Sequence, residues 1–171
     1  MEHTAIKGHL RVREIVLFAL LGALMFVAKL ALAAFPNVEP VSLLVMLYAV
    51  TLGRKGLYPV YIYILLEYAF WGIHLWCINY LYIWLILFVV ARMLREMQSA
   101  IGWAVVSGVF GLFFGMLCAP VYLFSGGWQF MVSWWLSGIP MDVVHCVGNF
   151  VIALLLFKPM RALLEQLMRR F

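Results

Sequence analysis

In the stretch GIPMDVVHCVGNF (residues 138–150), an acid, Asp142, an imidazole, His145, and an amide, Asn149, interrupt a run that is otherwise apolar. On a helix turning about 100° per residue, these three side chains share a sector of about 60°. An acid and an imidazole on one face can act as a proton-transfer pair, and the same groups can hold a polar ligand by hydrogen bonds. A second set repeats the pattern: Glu67, Trp71 and His74 stand at i, i+4 and i+7, one face of a helix. Asn79, Tyr80 and Tyr82 open the next apolar segment, Lys29 lies near the end of the first, and Glu39 follows just beyond it. Ionisable groups among apolar helices are costly and face a bundle interior or a cavity.

The elements that must position these residues are membrane helices. Of 171 residues, 67% are hydrophobic and 11% are charged, with mean hydropathy +1.06. That leaves too little polar surface to cover a water-soluble globule, which carries about 25% charged residues. Breakers divide the chain into six apolar segments, at 12–34, 41–53, 57–74, 78–95, 100–124 and 139–165. A bilayer core of about 30 Å takes about 20 residues, so the second segment is short for a full span. The expectation is an all-α integral membrane protein, a single domain over 1–171 forming a six-transmembrane-helix bundle.

The net charge of +5 is distributed by topology. Apart from Lys29, the Lys and Arg residues fall in every second connection, the positive-inside arrangement. Both termini are then cytoplasmic, and nucleic acid is not the partner. Arg11, Arg13 and Ala31-Leu32-Ala33 loosely imitate a signal peptide, but the run between them exceeds the usual apolar region. It is read as a retained first helix. The outer connections near 35–40, 74–78 and 125–138 contain no Lys or Arg and hold Trp76, Trp128, Trp134 and Trp135, as an interfacial aromatic belt does.

This topology gathers the polar groups in the outer leaflet. Pro140 suits a first helical turn, which puts Asp142 where the helix dipole favours an anion. The plainer reading is that these groups pair with one another as interhelical glue. Clustered at one depth and bordered by aromatics, they are better read as a pocket open to the outside. It would take a small polar molecule, aromatic or cationic, because aromatic rings stack on both.

Three function classes remain. Transport is favoured: without a Walker A sequence the chain does not itself hydrolyse ATP by the usual route, and without repeats or broken helix pairs it is a poor self-sufficient transporter. It reads as a capture subunit that needs a partner. An intramembrane enzyme would use Asp142 and His145, joined by Glu67 or Cys146, yet HExxH and GxSxG are absent. A structural or assembly protein would not need clustered acids. Cys77, Cys118 and Cys146 show no CxxC spacing, so no metal or other cofactor is expected.

From about Arg13 to Leu164 the chain resembles the substrate-binding S components of energy-coupling factor (ECF) vitamin transporters. REIVLFALLGALMFVAKLAL with its AxxxA, the FPNVEPVSLLVMLY turn and the late GIPMDVVHCVGNFVIALLLFKP carry the resemblance. It implies a place in the cell membrane of a prokaryote, capture of a vitamin or precursor from outside, then docking on a module of one coupling membrane subunit and two ATPase subunits. Toppling in the membrane would then release the substrate inward. By the same resemblance Ala19 and Ala23 contact the coupling subunit, with Gly22 beside them easing close approach. Met1-Glu2-His3 departs from the N-terminal Met-His motif of the metal-specific branch, which speaks against nickel or cobalt. The acidic, aromatic pocket suits a thiamine-like cation or its pyrimidine; a B12-related ligand is also open.

Overall fold

The computed structural model describes residues 10–34 and 39–170. Among the described residues 87% are helical and none is in a strand, so the fold is all-α. The helices are α1 (Val12–Ala31), α2 (Val41–Thr51), α3 (Leu57–Trp71), α4 (Trp76–Met93), α5 (Ala100–Leu112), α6 (Phe114–Cys118) and α7 (Leu123–Met168). Short 3-10 turns at Gly53–Gly56 and Ala119–Tyr122 join α2 to α3 and α6 to α7. By length and composition, α1, α4 and the stretch Phe114–Met168 can each cross a membrane. The chain is a helical membrane protein.

Two apolar helices, α2 and α5, are shorter than a span. The eleven residues of α2 extend about 16 Å, half the depth of a hydrocarbon core. Nine of them are buried, because VSLLVMLYAVT is apolar on every side and a helix of that kind belongs inside. It packs chiefly on α4 and α7, while α1 crosses α3 and α5 lies along α7. Glycine makes the last two crossings possible. A Cβ at Gly22 would stand 2.6 Å from Ile62 Cγ2, and one at Gly111 would stand 2.8 Å from the His145 carbonyl oxygen.

Several expected boundaries move. The third helix stops at Trp71, where Gly72 takes φ +82, a left-handed conformation that ends a helix. The fifth segment breaks at Phe113 into α5, α6 and a 3-10 turn. The expected outer loop at 125–138 is helical: after a single non-helical residue, Gly127 (φ +75), the helix runs on through Pro140 and Pro159. Asp142 therefore sits deep inside a long helix, where the expectation placed it in a first turn. From Gly127 to its end, α7 measures about 60 Å, so it projects beyond a bilayer core. The expected Phe35-Pro36-Asn37 stop and the Met1-Glu2-His3 terminus lie outside the described residues.

Charge separates the two ends of the molecule. Arg11, Arg13, Glu14, Lys55 and Met168 border one groove, bringing the start of α1, the turn after α2 and the end of α7 together. Lys55 donates to Glu14, and Arg92 near the end of α4 donates to the Ala49 carbonyl at 3.3 Å. Among the described residues, Lys29 in the last turn of α1 is the one Lys or Arg side chain at the opposite end.

Candidate functional site

That opposite end holds two polar clusters. The first is built around Lys29. Its ammonium donates to Glu67 Oε2 at 2.8 Å and to the Tyr80 hydroxyl at 3.0 Å, with Glu39 Oε2 at 3.9 Å. It also lies 5.1 Å from the centre of the Tyr80 ring. The residues come from helix ends at one level: the last turn of α1, the residue before Pro40 at the start of α2, the second-last turn of α3 and the second turn of α4. Glu67 is 1% exposed, so its charge depends on Lys29 for a partner. Burial pushes the Glu39 carboxyl above its ordinary range, and the nearby Lys29 partly counters this.

The second cluster is carried by α7. Asp142, His145 and Asn149 are all buried, so the shared helical sector turns inward. Asp142 Oδ1 accepts the Gly115 N–H at 2.9 Å. That carboxylate takes up an amide in the first turn of α6, which the helix geometry leaves without an internal acceptor. Glycine is required opposite it, since a Cβ at Gly115 would lie 2.4 Å from Asp142 Oδ2. The His145 ring meets Phe114 edge-on at 4.8 Å. Asn149 donates to Ser42 Oγ at 3.0 Å and to the Ser107 carbonyl at 3.3 Å, tying α7 to α2 and α5.

The clusters are continuous with each other. The first turn of α2 connects them, with Glu39 facing Lys29 and Ser42 facing Asn149. An aromatic layer fills the space between. Tyr63 and Tyr80 both lie against Trp84, at 6.3 and 5.4 Å. Trp84 in turn contacts Phe110 and Phe114, at 5.9 and 5.8 Å, and Phe114 reaches His145.

Around this layer the hydrogen bonding is incomplete. Tyr63 Oη, Glu67 Oε1, Trp84 Nε1, Ser107 Oγ, Asp142 Oδ2, His145 Nε2 and Asn149 Oδ1 are buried with no partner among the described residues. Native proteins leave only a few such atoms per hundred residues, and each carries a desolvation penalty of about 1–3 kcal/mol. Here the seven are spread over α3, α4, α5 and α7.

The expected site residues separate accordingly. Lys29, Glu39, Glu67 and Tyr80 come together, as do Asp142, His145 and Asn149. Asn79 is buried, with its Oδ1 3.1 Å from the Tyr82 hydroxyl, which also lies 2.6 Å from the Leu117 carbonyl. Trp71 remains on α3, one turn after Glu67, but His74 does not share that face. The helix ends before His74, whose Nε2 lies 2.9 Å from the Trp71 carbonyl, and both side chains are exposed. On α1, Ala19 is exposed and Ala23 half-buried, whereas Gly22 is consumed by the crossing with α3.

The chain's unanticipated participants are Tyr63, Trp84, Ser107, Ser42 and Gly115. Tyr63 lies one helical turn before Glu67, and Trp84 one turn after Tyr80. That four-residue spacing was the available signal. Among the described residues no group of three His, Cys, Asp or Glu side chains is placed to hold a metal ion.

Fold and site together define a helical membrane protein with a buried, under-bonded polar site at the end opposite its basic residues. No family model, no curated protein and no solved structure matches the chain.

Proposed function

We propose that this protein is the substrate-capture (S) subunit of an ECF-type importer, binding a small vitamin-like molecule from outside the cell membrane of a prokaryote. The observation that carries the reading is the set of seven buried polar atoms on α3, α4, α5 and α7 that find no partner among the described residues. An interior that satisfied its own polar groups would be more stable without them, so a ligand that completes these bonds is the simplest reason for their presence. The site residues are Lys29, Glu39, Glu67, Tyr80, Asp142, His145 and Asn149, with Tyr63, Trp84 and Ser107 added. Trp71 and His74 are left at the rim.

In this reading the chain makes six passes: α1, the buried α2, α3, α4, the broken α5–α6 stretch and α7. The end bearing Arg11, Lys55, Arg92 and Lys158 faces the cytoplasm, which puts both termini there and opens the site outward. Thiamine-related and B12-related compounds are the substrate classes the resemblance offers. The chain has no catalytic role here; a coupling membrane subunit and two ATPase subunits supply the ATP hydrolysis. The stripe of α1 formed by exposed Val16, Ala19 and Leu20 with half-buried Ala23 is the docking face for the coupling subunit.

Co-purification from native membranes, with uptake measured alongside, tests this. The wild type is expected to bring down one membrane partner and two ATPases. Ala19→Leu is expected to lose both the partners and uptake while ligand binding persists. Absence of ATPase partners from the wild-type complex contradicts the proposal.

A further inference from the structure

We infer that the basic end of the bundle binds one anionic phospholipid, its phosphate held between the start of α1 and the turn before α3, with one acyl chain laid along α3. This site is separate from the Lys29 and Asp142 clusters and does not depend on the capture reading. Two grooves meet there. One, of about 480 Å³, is bordered by Arg11, Arg13, Glu14 and Lys55. The other, of about 520 Å³, begins at Arg54 and Lys55 and continues along α3 past Tyr58, Ile62 and Leu65. Lys55 borders both, so it stands where a polar groove meets an apolar one.

Charge points to the head group. Glu14 is the one carboxylate bordering either groove, and Lys55 is bonded to it. Arg11, Arg13 and Arg54 form no ion pair among the described residues, and all three are exposed. A guanidinium presents a planar fork of N–H donors that matches phosphate oxygens two at a time. The Glu14–Lys55 pair fastens the start of α1 to the α2–α3 turn. Gly56 lets that turn sit tightly, since a Cβ there would lie 2.3 Å from the Tyr48 carbonyl oxygen. The backbone that carries these cations is therefore fixed at two points.

The apolar groove points to the tail. Tyr58, Ile62 and Leu65 follow at i, i+4 and i+7, one face of α3. Tyr58 and Leu65 are exposed and Ile62 is half-buried, so this face is open to lipid. The tyrosine rings are fixed on different neighbours: Tyr58 stacks on Phe18 of α1 at 5.5 Å, and Tyr61 donates to the Leu81 carbonyl of α4 at 3.0 Å. From Leu57 to Leu65 the groove runs about 12 Å along the helix, most of one leaflet's share of a core about 30 Å thick. Cations, then tyrosines, then aliphatic side chains follow the order of a phospholipid from phosphate to tail. A free phosphate would use the cations alone, and an acidic protein segment has no need of a furrow of acyl depth.

Native mass spectrometry of the full chain tests this, with phosphatidylglycerol and phosphatidylcholine of the same acyl chains added in equal amount. One phosphatidylglycerol per chain is expected, retained roughly tenfold or more over phosphatidylcholine. Arg13→Gln combined with Arg54→Gln should cut that retention roughly tenfold. If the double variant fails to fold, each single change is read in its place, with a loss of roughly threefold expected. Leu65→Trp, which obstructs the apolar groove and leaves the cations intact, should lower retention of the same lipid. Lys158→Gln, an exposed cation at the same end that borders a different groove, should leave it unchanged. Equal retention of the two lipids overturns the inference, as does full retention in either groove variant. An equal loss in Lys158→Gln also overturns it, because the attraction would then belong to the whole basic end. Glycerol phosphate binding as tightly as the lipid would mean a site for free phosphate. If the double variant keeps its lipid and instead loses a co-purifying protein, the cations serve that protein and the inference falls.

Discussion

The Lys29 and Asp142 clusters hold similar residues at the same end of the bundle, yet one is nearly complete and the other is not. At the first, a lysine on α1 bonds Glu67 Oε2 at 2.8 Å and approaches Glu39 Oε2 at 3.9 Å, and Glu67 Oε1 is left without a partner among the described residues. At the second, a buried carboxylate has one backbone N–H for company, and the imidazole Nε2 next to it has no partner. The difference separates two tasks. The first pole holds α1, α3 and α4 together by charge and hydrogen bonds; on the proposed reading, the second keeps its bonding capacity for a ligand.

Substitutions that treat the poles alike should therefore give unlike results. Lys29→Met leaves the buried Glu67 carboxyl without its cationic partner, which should cost about 3 kcal/mol. Thermal unfolding in detergent reads this, and adding Glu67→Gln should restore most of the loss. Asn149→Ala removes two hydrogen bonds that tie α7 to α2 and α5, and about 2 kcal/mol should go with them. Asp142→Asn breaks no ion pair and keeps an oxygen for the Gly115 amide, so its cost in the empty protein should be only about 1 kcal/mol. A loss at Asp142 equal to that at Lys29 would erase the distinction. Trp71→Ala and His74→Ala, both exposed, should each stay within about 0.5 kcal/mol in unfolding.

How much of this was legible in the residues follows from what each element depends on. The sector shared by Asp142, His145 and Asn149 was visible because helical rotation is local, and all three are buried on one side of α7. The apolar runs likewise announced the helices. The end of α3 was missed because Glu67, Trp71 and His74 keep helical spacing, while the single residue Gly72 with its left-handed backbone decides the matter.

The stretch 125–138 read as a loop because Gly126-Gly127 and several tryptophans suggested an interface. Only Gly127 departs from helical geometry, and Tyr122 stacks on Trp134 at 4.1 Å across the bend. Pro140 misled in the same way, since a long apolar helix absorbs the loss of one N–H when neighbours pack around it. Tyr63, Trp84 and Ser107 were hidden for another reason. In a membrane protein an aromatic or a lone hydroxyl looks the same whether it faces lipid or the interior, and only tertiary contacts tell which.

Mass spectrometry of small molecules retained by the purified chain, wild type beside Asp142→Asn, tests the central claim most directly. The account predicts one compound carried by the wild type in near-equal molar amount, and its loss from a variant that still unfolds cooperatively. A wild type that carries nothing, or an Asp142→Asn protein that keeps the compound in full, would contradict the claim that these unpaired groups exist to hold a ligand.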